Sequence, residues 1–375
     1  MNKSNYPTFL VLYLLSVILI LGACSQKEQV EKEAPINKEK LKSRDISDLK
    51  QWKLPISIPE GEFSQLAGWI SGNQVLFTTN LEKTSNVYRY DFVTGKSEVI
   101  YKSEYPIVKV RIAPSRKHIL IHASKSSTEG LVTIIDTSGT VLLTKSFPSY
   151  ELEVEWNPYN DSELLVSTFA EDWSFKELLL DVQNAKITEL TLAQPFNKWI
   201  DNDKIAFIDW DEENPSFFAP LIERNLENAN EKTLLPAVID FSVFPDLLMT
   251  ISVNEQNQSL SSYSFFNKKM NQQFSFSMPQ LTKYSDWLIP FYDYNERRNQ
   301  FITFSPLSSG EVDSYTDGFQ LLAYNLKKGT STLIMDGLEN VPISVSPTGE
   351  ALLYGNRLEK MIDLGTKKIY ELIKE

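Results

Sequence analysis

One pattern recurs along this chain from Trp69 to the C-terminus, and it leaves little freedom for the fold. It is clearest between Trp69 and Tyr101. A turn at Ser71-Gly72-Asn73 leads into an apolar, β-branched run, Val75–Thr79. In the next run Val87, Arg89 and Asp91 alternate with Tyr88, Tyr90 and Phe92. A Thr94-Gly95 turn then opens Ser97–Tyr101. Alternation with period two marks half-buried strands, and glycine in a tight turn supplies the positive φ that a hairpin needs.

The four-strand unit returns near Val108, Val154, Asn197, Ile239, Tyr284 and Val341, which makes seven copies. The copy near Tyr284, with Trp287 in its first strand, is swollen and the last one is short, so six is the alternative count. A period of roughly 40–45 residues with four strands per unit marks a β-propeller blade. One such sheet cannot bury both of its faces, whereas neighbouring sheets can. The expectation is therefore an all-β fold, a β-propeller of four-stranded blades occupying residues 51–375 as a single domain. Leu54–Ile58, bounded by Pro55 and Pro59, is expected to add an edge strand against the last blade.

Two stretches carry a family resemblance. Ser346-Pro347-Thr348-Gly349-Glu350-Ala351-Leu352-Leu353-Tyr354 resembles the Ser-Pro-Asp-Gly turn of TolB-type propellers, and Tyr90-Asp91-Phe92-Val93-Thr94-Gly95 resembles their third-strand-to-turn motif. With the N-terminus described next, the chain is similar over about residues 55–373 to the YqgU-like propeller lipoproteins of low-GC Gram-positive bacteria. That family is usually described as six-bladed. The resemblance implies a location and a fold but carries over no activity and no catalytic residues.

Residues 1–23 form a targeting segment, with Lys3 as its positive start and Phe9–Leu21 as an apolar run of signal-peptide length. Leu21-Gly22-Ala23-Cys24 resembles the bacterial lipobox. The resemblance implies that Cys24 is lipidated and becomes the first mature residue, which anchors the protein to the cell membrane on its extracytoplasmic face. Cys24 is the only cysteine, so no disulfide forms within the chain. Residues 24–50 follow as a charged tether of mixed sign with too little apolar content to form a core. The net charge is −12, and −13 once Lys3 is removed with the leader. Nucleic acid is excluded as a partner on that ground, because phosphates call for Lys and Arg clusters.

The second-to-third-strand loops hold the candidate binding residues. They share a face with the blade-to-blade connections. Glu171-Asp172-Trp173 lies in the third copy, Asp209-Trp210-Asp211 with Glu213 in the fourth, and Asp313, Tyr315 and Asp317 in the sixth. An acid beside an aromatic suits a cationic ligand or an amine-bearing glycan. Asp209, Asp211 and Glu213 alternate like calcium ligands, but the glycine and distal glutamate of an EF-hand are missing, so no metal is expected. Trp69, Trp156, Trp199 and Trp287 recur in register and read as wedges between blades, with sugar platforms as the alternative. His118 and His122 face one side of a strand and read as two partly buried strand histidines; a metal pair, the alternative, would need a third ligand from elsewhere. Phe291–Asn299 reads as a long hairpin tip on the opposite face.

No Gly-x-Ser-x-Gly elbow, Cys/His pair or triad histidine is present, and no cofactor is called for. The sequence points to a tethered, non-enzymatic binding or scaffolding module for an envelope protein or a cell-wall component. A carboxylate-dependent enzyme acting on wall glycan is the alternative.

Overall fold

A computed structural model describes residues 52–211, 213–214, 216–284 and 286–374. Cys24, the leader and the tether fall outside the described residues. Seven four-stranded sheets follow one another along the chain, each built from strands in sequence order. Blade 1 spans 62–103, blade 2 107–148, blade 3 151–190, blade 4 198–238, blade 5 240–279, blade 6 292–338 and blade 7 343–371. All pairings within the blades are antiparallel, as tight turns between consecutive strands require. The first strands of blades 1 and 2, 3 and 4, 4 and 5, and 6 and 7 approach one another, and the first strand of blade 7 approaches that of blade 1. The ring therefore closes without any blade borrowing a strand from the far end of the chain. Helical structure among the described residues is limited to two short 3₁₀ turns, Glu296–Arg298 and Val312–Ser314.

The core is distributed among the blade interfaces, because each sheet's apolar side chains alternate between its two neighbours. The seam between blades 7 and 1 is the fullest. There Leu66, Trp69, Val75, Phe77 and Tyr90 meet Ala351, Leu353, Met361 and Leu372, all buried. The seam between blades 3 and 4 is the thinnest. Its buried apolar set is Leu165, Trp199 and Ile205, flanked by half-buried leucines.

Three expectations are corrected. Residues 54–58 do not form an edge strand. Lys53 N–H donates to Phe92 O (2.7 Å) and Ile56 N–H to Leu372 O (2.7 Å), while Trp52 stacks on Phe92 at 4.5 Å. The segment is a wedge between the first and last blades, and Pro55 lacks the N–H that a ladder would need. Trp287 is not on the first strand of blade 6. It sits in Asp286–Leu288, part of a small sheet that pairs with Leu281–Lys283, which in turn pairs in parallel with Gly310–Glu311. The first strand of that blade is Tyr292–Asn295, paired with 300–303. Only Glu296–Asn299 of the presumed hairpin tip forms a turn, tightened by Asn295 Oδ1, which accepts from Arg298 N–H (2.9 Å).

Candidate functional site

Within each blade the loop joining the second and third strands emerges on the same face as the connection to the next blade. Hydrogen bonds tie the two sets together. Ser149 N–H donates to Thr128 O, Tyr150 N–H to Phe169 O and Gln280 N–H to Ser259 O. The candidate loops of blades 3 and 4 thus lie on one face, and the chain between the blades joins them. Trp173 meets Phe169 edge-on at 6.1 Å, and Phe169 stacks on Phe196 at 5.4 Å, in the connection to blade 4. In the same connection Gln194 Nε2 donates to Trp210 O at 2.9 Å. Trp173 is 64% exposed, Phe196 60% and Trp210 37%. Phe217 and Phe218 are exposed further along the blade 4 loop, and Phe217 meets the edge of Trp287 at 5.4 Å. An aromatic arc therefore runs from blade 3 across blade 4 to the small accessory sheet.

The backbone of this arc holds two of the ten non-glycine residues with positive φ among the described residues. Among the described residues two aromatics have positive φ, Trp173 at 64° and Phe196 at 62°. A side chain bearing Cβ pays roughly 1–2 kcal/mol to occupy that region, where glycine or asparagine is the usual choice. At Trp173 that conformation closes the turn between the second and third strands, where Trp173 N–H donates to Ala170 O (3.0 Å), and the ring is left largely exposed.

The carboxylates play different parts. Asp172 accepts from Ser174 N–H (3.0 Å) and Oγ–H (2.7 Å), and Asp211 accepts from the N–H groups of Glu213 (2.9 Å) and Asn214 (3.0 Å) and from Asn214 Nδ2 (3.1 Å). Those bonds shape the loops and hold both carboxyls below the usual range, so both are ionised at neutral pH. Asp209 has its side chain exposed beside Trp210. The blade 6 residues stand apart from this arrangement. Tyr315 donates to Gly318 O (2.6 Å) and accepts from Leu307 N–H (2.7 Å), Asp317 accepts from Ser308 Oγ–H (3.2 Å), and Asp313 is exposed on its 3₁₀ turn. Two of the three thus shape their own loop. Phe196, Phe217 and Phe218 were not apparent from the sequence, because they stand outside the repeat register and exposure leaves no mark in one chain.

A polar layer lies under the arc, within the thin seam between blades 3 and 4. Glu177 is fully buried and accepts a hydrogen bond from Ser167 Oγ–H. Burial pushes its carboxyl up to about 7, against the opposing pull of Ser167 and Asn197. Among the described residues, Glu177 Oε2, Asn197 Oδ1 and Trp199 Nε1 have no hydrogen-bond partner. A protonated Glu177 places a donor in this layer instead of a bare buried charge, which is the cheaper state.

The remaining candidates are structural. Trp69 Nε1 donates to Ser344 O (2.9 Å) across the closing seam and Trp156 Nε1 to Asp161 O (3.0 Å); with Trp199 they are buried wedges. His118 stacks on Trp156 at 6.2 Å, so it faces blade 3. Among the described residues no group of three or more His, Cys, Asp or Glu side chains is placed to hold a metal ion. Neighbouring first strands are linked by polar groups: Lys109 (2.9 Å) and Arg111 (2.5 Å) of blade 2 pair with Glu153 of blade 3, and Lys198 of blade 4 donates to Phe241 O (3.0 Å) in blade 5.

Fold and face together define a β-propeller with one aromatic, acid-rimmed surface. The chain belongs to the YqgU-like 6-bladed beta propeller domain family, which it matches over residues 91–355. That span takes in blades 2 to 6 whole and parts of blades 1 and 7, so this chain carries one blade more than the family's description states. It is 26% identical over 361 residues to the uncharacterized lipoprotein YqgU of Bacillus subtilis (strain 168), covering 96% of each chain. Its fold is similar to the crystal structure of the uncharacterized protein lmo1340 from Listeria monocytogenes EGD-e (TM-score 0.79, 22% identity, 86% of this chain and 97% of that one). It is also similar to the β-propeller domain of the Trilobed protease from Pyrococcus furiosus (TM-score 0.55, 13% identity, 84% and 98%).

Proposed function

We propose that the chain is a lipid-anchored, extracytoplasmic binding module that engages a cell-wall glycan through the face over blades 3 and 4. The observation that carries this reading is the pair Trp173 and Phe196, large rings held exposed on backbone that disfavours them. The turn needs no aromatic there, so the exposed rings are available to a ligand. Flat rings stack on sugar faces, and the ionised Asp172 and Asp211 beside them repel anionic partners and attract amines. Anchoring rests on Cys24 and on the lipoprotein name of the Bacillus relative. Cys24→Ser is expected to leave an uncleaved precursor or a shed protein; migration and fractionation like the parent would remove the anchor from the account.

The binding experiment is co-sedimentation of the purified protein with wall sacculi stripped of protein. The wild type is expected to pellet with them, and Trp173→Ala with Trp210→Ala to remain in solution while melting within about 1 kcal/mol of the parent. Equal pelleting of both proteins, or none by the wild type, contradicts the reading. Cross-linking through the same face to an envelope protein, without sacculus binding, would replace the glycan by a protein partner.

A further inference from the structure

A second feature of the same face adjoins the aromatic arc. Between blades 2 and 3 a cleft of about 180 Å³ is lined by His122, Ser124, Ser126, Gly130, Ser149, Tyr150 and Leu152, with Glu129 and Glu151 at its edge. His122 is 8% exposed, and its Nε2 faces Gly130 at the cleft wall. A neutral imidazole carries one donor and one acceptor, which a group seated in the cleft could use. Gly130 forms the floor. A Cβ built there falls 3.0 Å from His122 Nε2, 3.3 Å from Leu152 Cδ1 and 3.4 Å from Ser149 Oγ, so a larger residue would press on all three walls. Tyr150, exposed at the rim, is bonded through its N–H to Phe169 O, and the Phe169 ring touches both Trp173 and Phe196. The cleft thus adjoins the arc.

The lining narrows the chemistry. Serine hydroxyls and an imidazole around a small apolar floor suit a group with hydroxyls on its edge and C–H bonds on its face. The depth does not suit a cation. Burial holds the His122 imidazole below its ordinary value, the nearby Lys109 and Arg111 act in the same direction against Glu153, and Glu129 already pairs with Lys125 at 2.8 Å. We propose that this cleft is the anchoring subsite for one uncharged sugar residue of a glycan whose following residues lie over Tyr150, Trp173 and Phe196. The proposal rests on the glycan reading of the face and names the residues that would set its specificity.

The test titrates the full chain, purified in detergent, with N-acetylglucosamine oligomers of one to four units, monitored by calorimetry and by saturation-transfer NMR. Binding is expected to begin with the single sugar and to strengthen with length. Gly130→Ala, which fills the floor without removing a polar group, and His122→Ala are each expected to weaken every oligomer by about tenfold or more. Trp173→Ala is expected to weaken only the longer ones. Melting curves accompany each variant; if His122→Ala unfolds, Gly130→Ala decides. Oligomers that bind equally to wild type and Gly130→Ala overturn the subsite. So does a lysine-rich peptide that binds this cleft where no sugar does. If sugar binding fails while sacculi still pellet in a Trp173-dependent way, the subsite is wrong and the face stands; if sacculi do not bind either, the face reading itself fails.

Discussion

The closing seam between blades 7 and 1 and the seam between blades 3 and 4 are built to different ends. The first buries a dense apolar set on both sides, adds the wedge of residues 52–58, and joins the chain's two ends through Ile56 and Leu372. The second buries three apolar side chains and a polar layer in which Glu177, Asn197 and Trp199 keep unsatisfied atoms. Above that layer stand Trp173 and Phe196, the two positive-φ aromatics among the described residues. Burial of apolar area sets most of an interface's stability, so the closing seam holds the ring and the other seam gives up stability. The surplus from the strong seams permits the weak one, and the weak one lies beneath the candidate binding face. Sites that bind commonly break the rules that the rest of a fold obeys.

The comparison is broken most severely at closure. Deleting residues 343–375 opens the ring and exposes the apolar flanks of blades 6 and 1 to water, so the product is expected to be insoluble or to melt without a cooperative transition. A soluble, monomeric truncation with a sharp melt would show that blade 7 is dispensable. Within the seams, Leu353→Ala leaves a cavity among many buried neighbours and is expected to cost about 4 kcal/mol, against about 2 kcal/mol for Leu165→Ala in the thin seam, where half-buried side chains can relax inward. Equal losses in denaturant titrations would remove the asymmetry.

The polar layer sharpens the contrast through pH. The carboxyl of Glu177 is raised to about 7 from its ordinary value of 4.5. The folded state then holds a proton that the unfolded chain has released. Its contribution is fully present below the unfolded value and is lost as pH rises toward 7, by on the order of 3 kcal/mol at most. Asp293, half-buried between blades 6 and 7 and raised to about 6, contributes in the same direction, so the parent's slope combines both. Glu177→Gln keeps a neutral side chain of the same shape and isolates one of them. It is expected to flatten part of the slope and to melt higher than the parent at pH 8, by differential scanning calorimetry. A variant that melts lower at pH 8 would mean that Glu177 is ionised and paired in the native state. The smallest effect is expected at the surface: Trp173→Gly relieves a left-handed residue and should leave stability equal or raise it by up to about 1 kcal/mol, while sacculus binding falls.

Much of the fold was legible because the blade is a local unit. Strands such as Val75–Thr79 and Lys204–Ile208 carry their alternation and turns within about ten residues, and they lie inside or coincide with strands of the structure. The sixth copy was misread for the same reason. Leu281–Lys283 and Asp286–Leu288 form true strands around Trp287, but they belong to the accessory sheet, and sheet membership is decided by partners far along the chain. The site was legible where residue type and loop position agree, as at Trp173 and Trp210. It was illegible at Glu177, which stands beside Lys176 in a strand without alternation, Phe-Lys-Glu-Leu-Leu-Leu-Asp, and so reads as exposed; only the placement of blade 4 beside it makes it buried. Phe196 was hidden because a short connection between blades gives no sign that its ring faces outward.

Hydrogen exchange tests the central contrast most directly, with amide protection followed across the chain before and after adding enzymatically solubilised wall fragments. The account predicts that, in the free protein, amides of 191–197 and 209–218 exchange fastest among the interface segments and those of the closing seam slowest. Wall fragments should then protect 149–152, 170–174 and 191–197 and leave the seam between blades 7 and 1 unchanged. Uniform protection across the seven seams, or fragment-dependent protection confined to the opposite face, would contradict it.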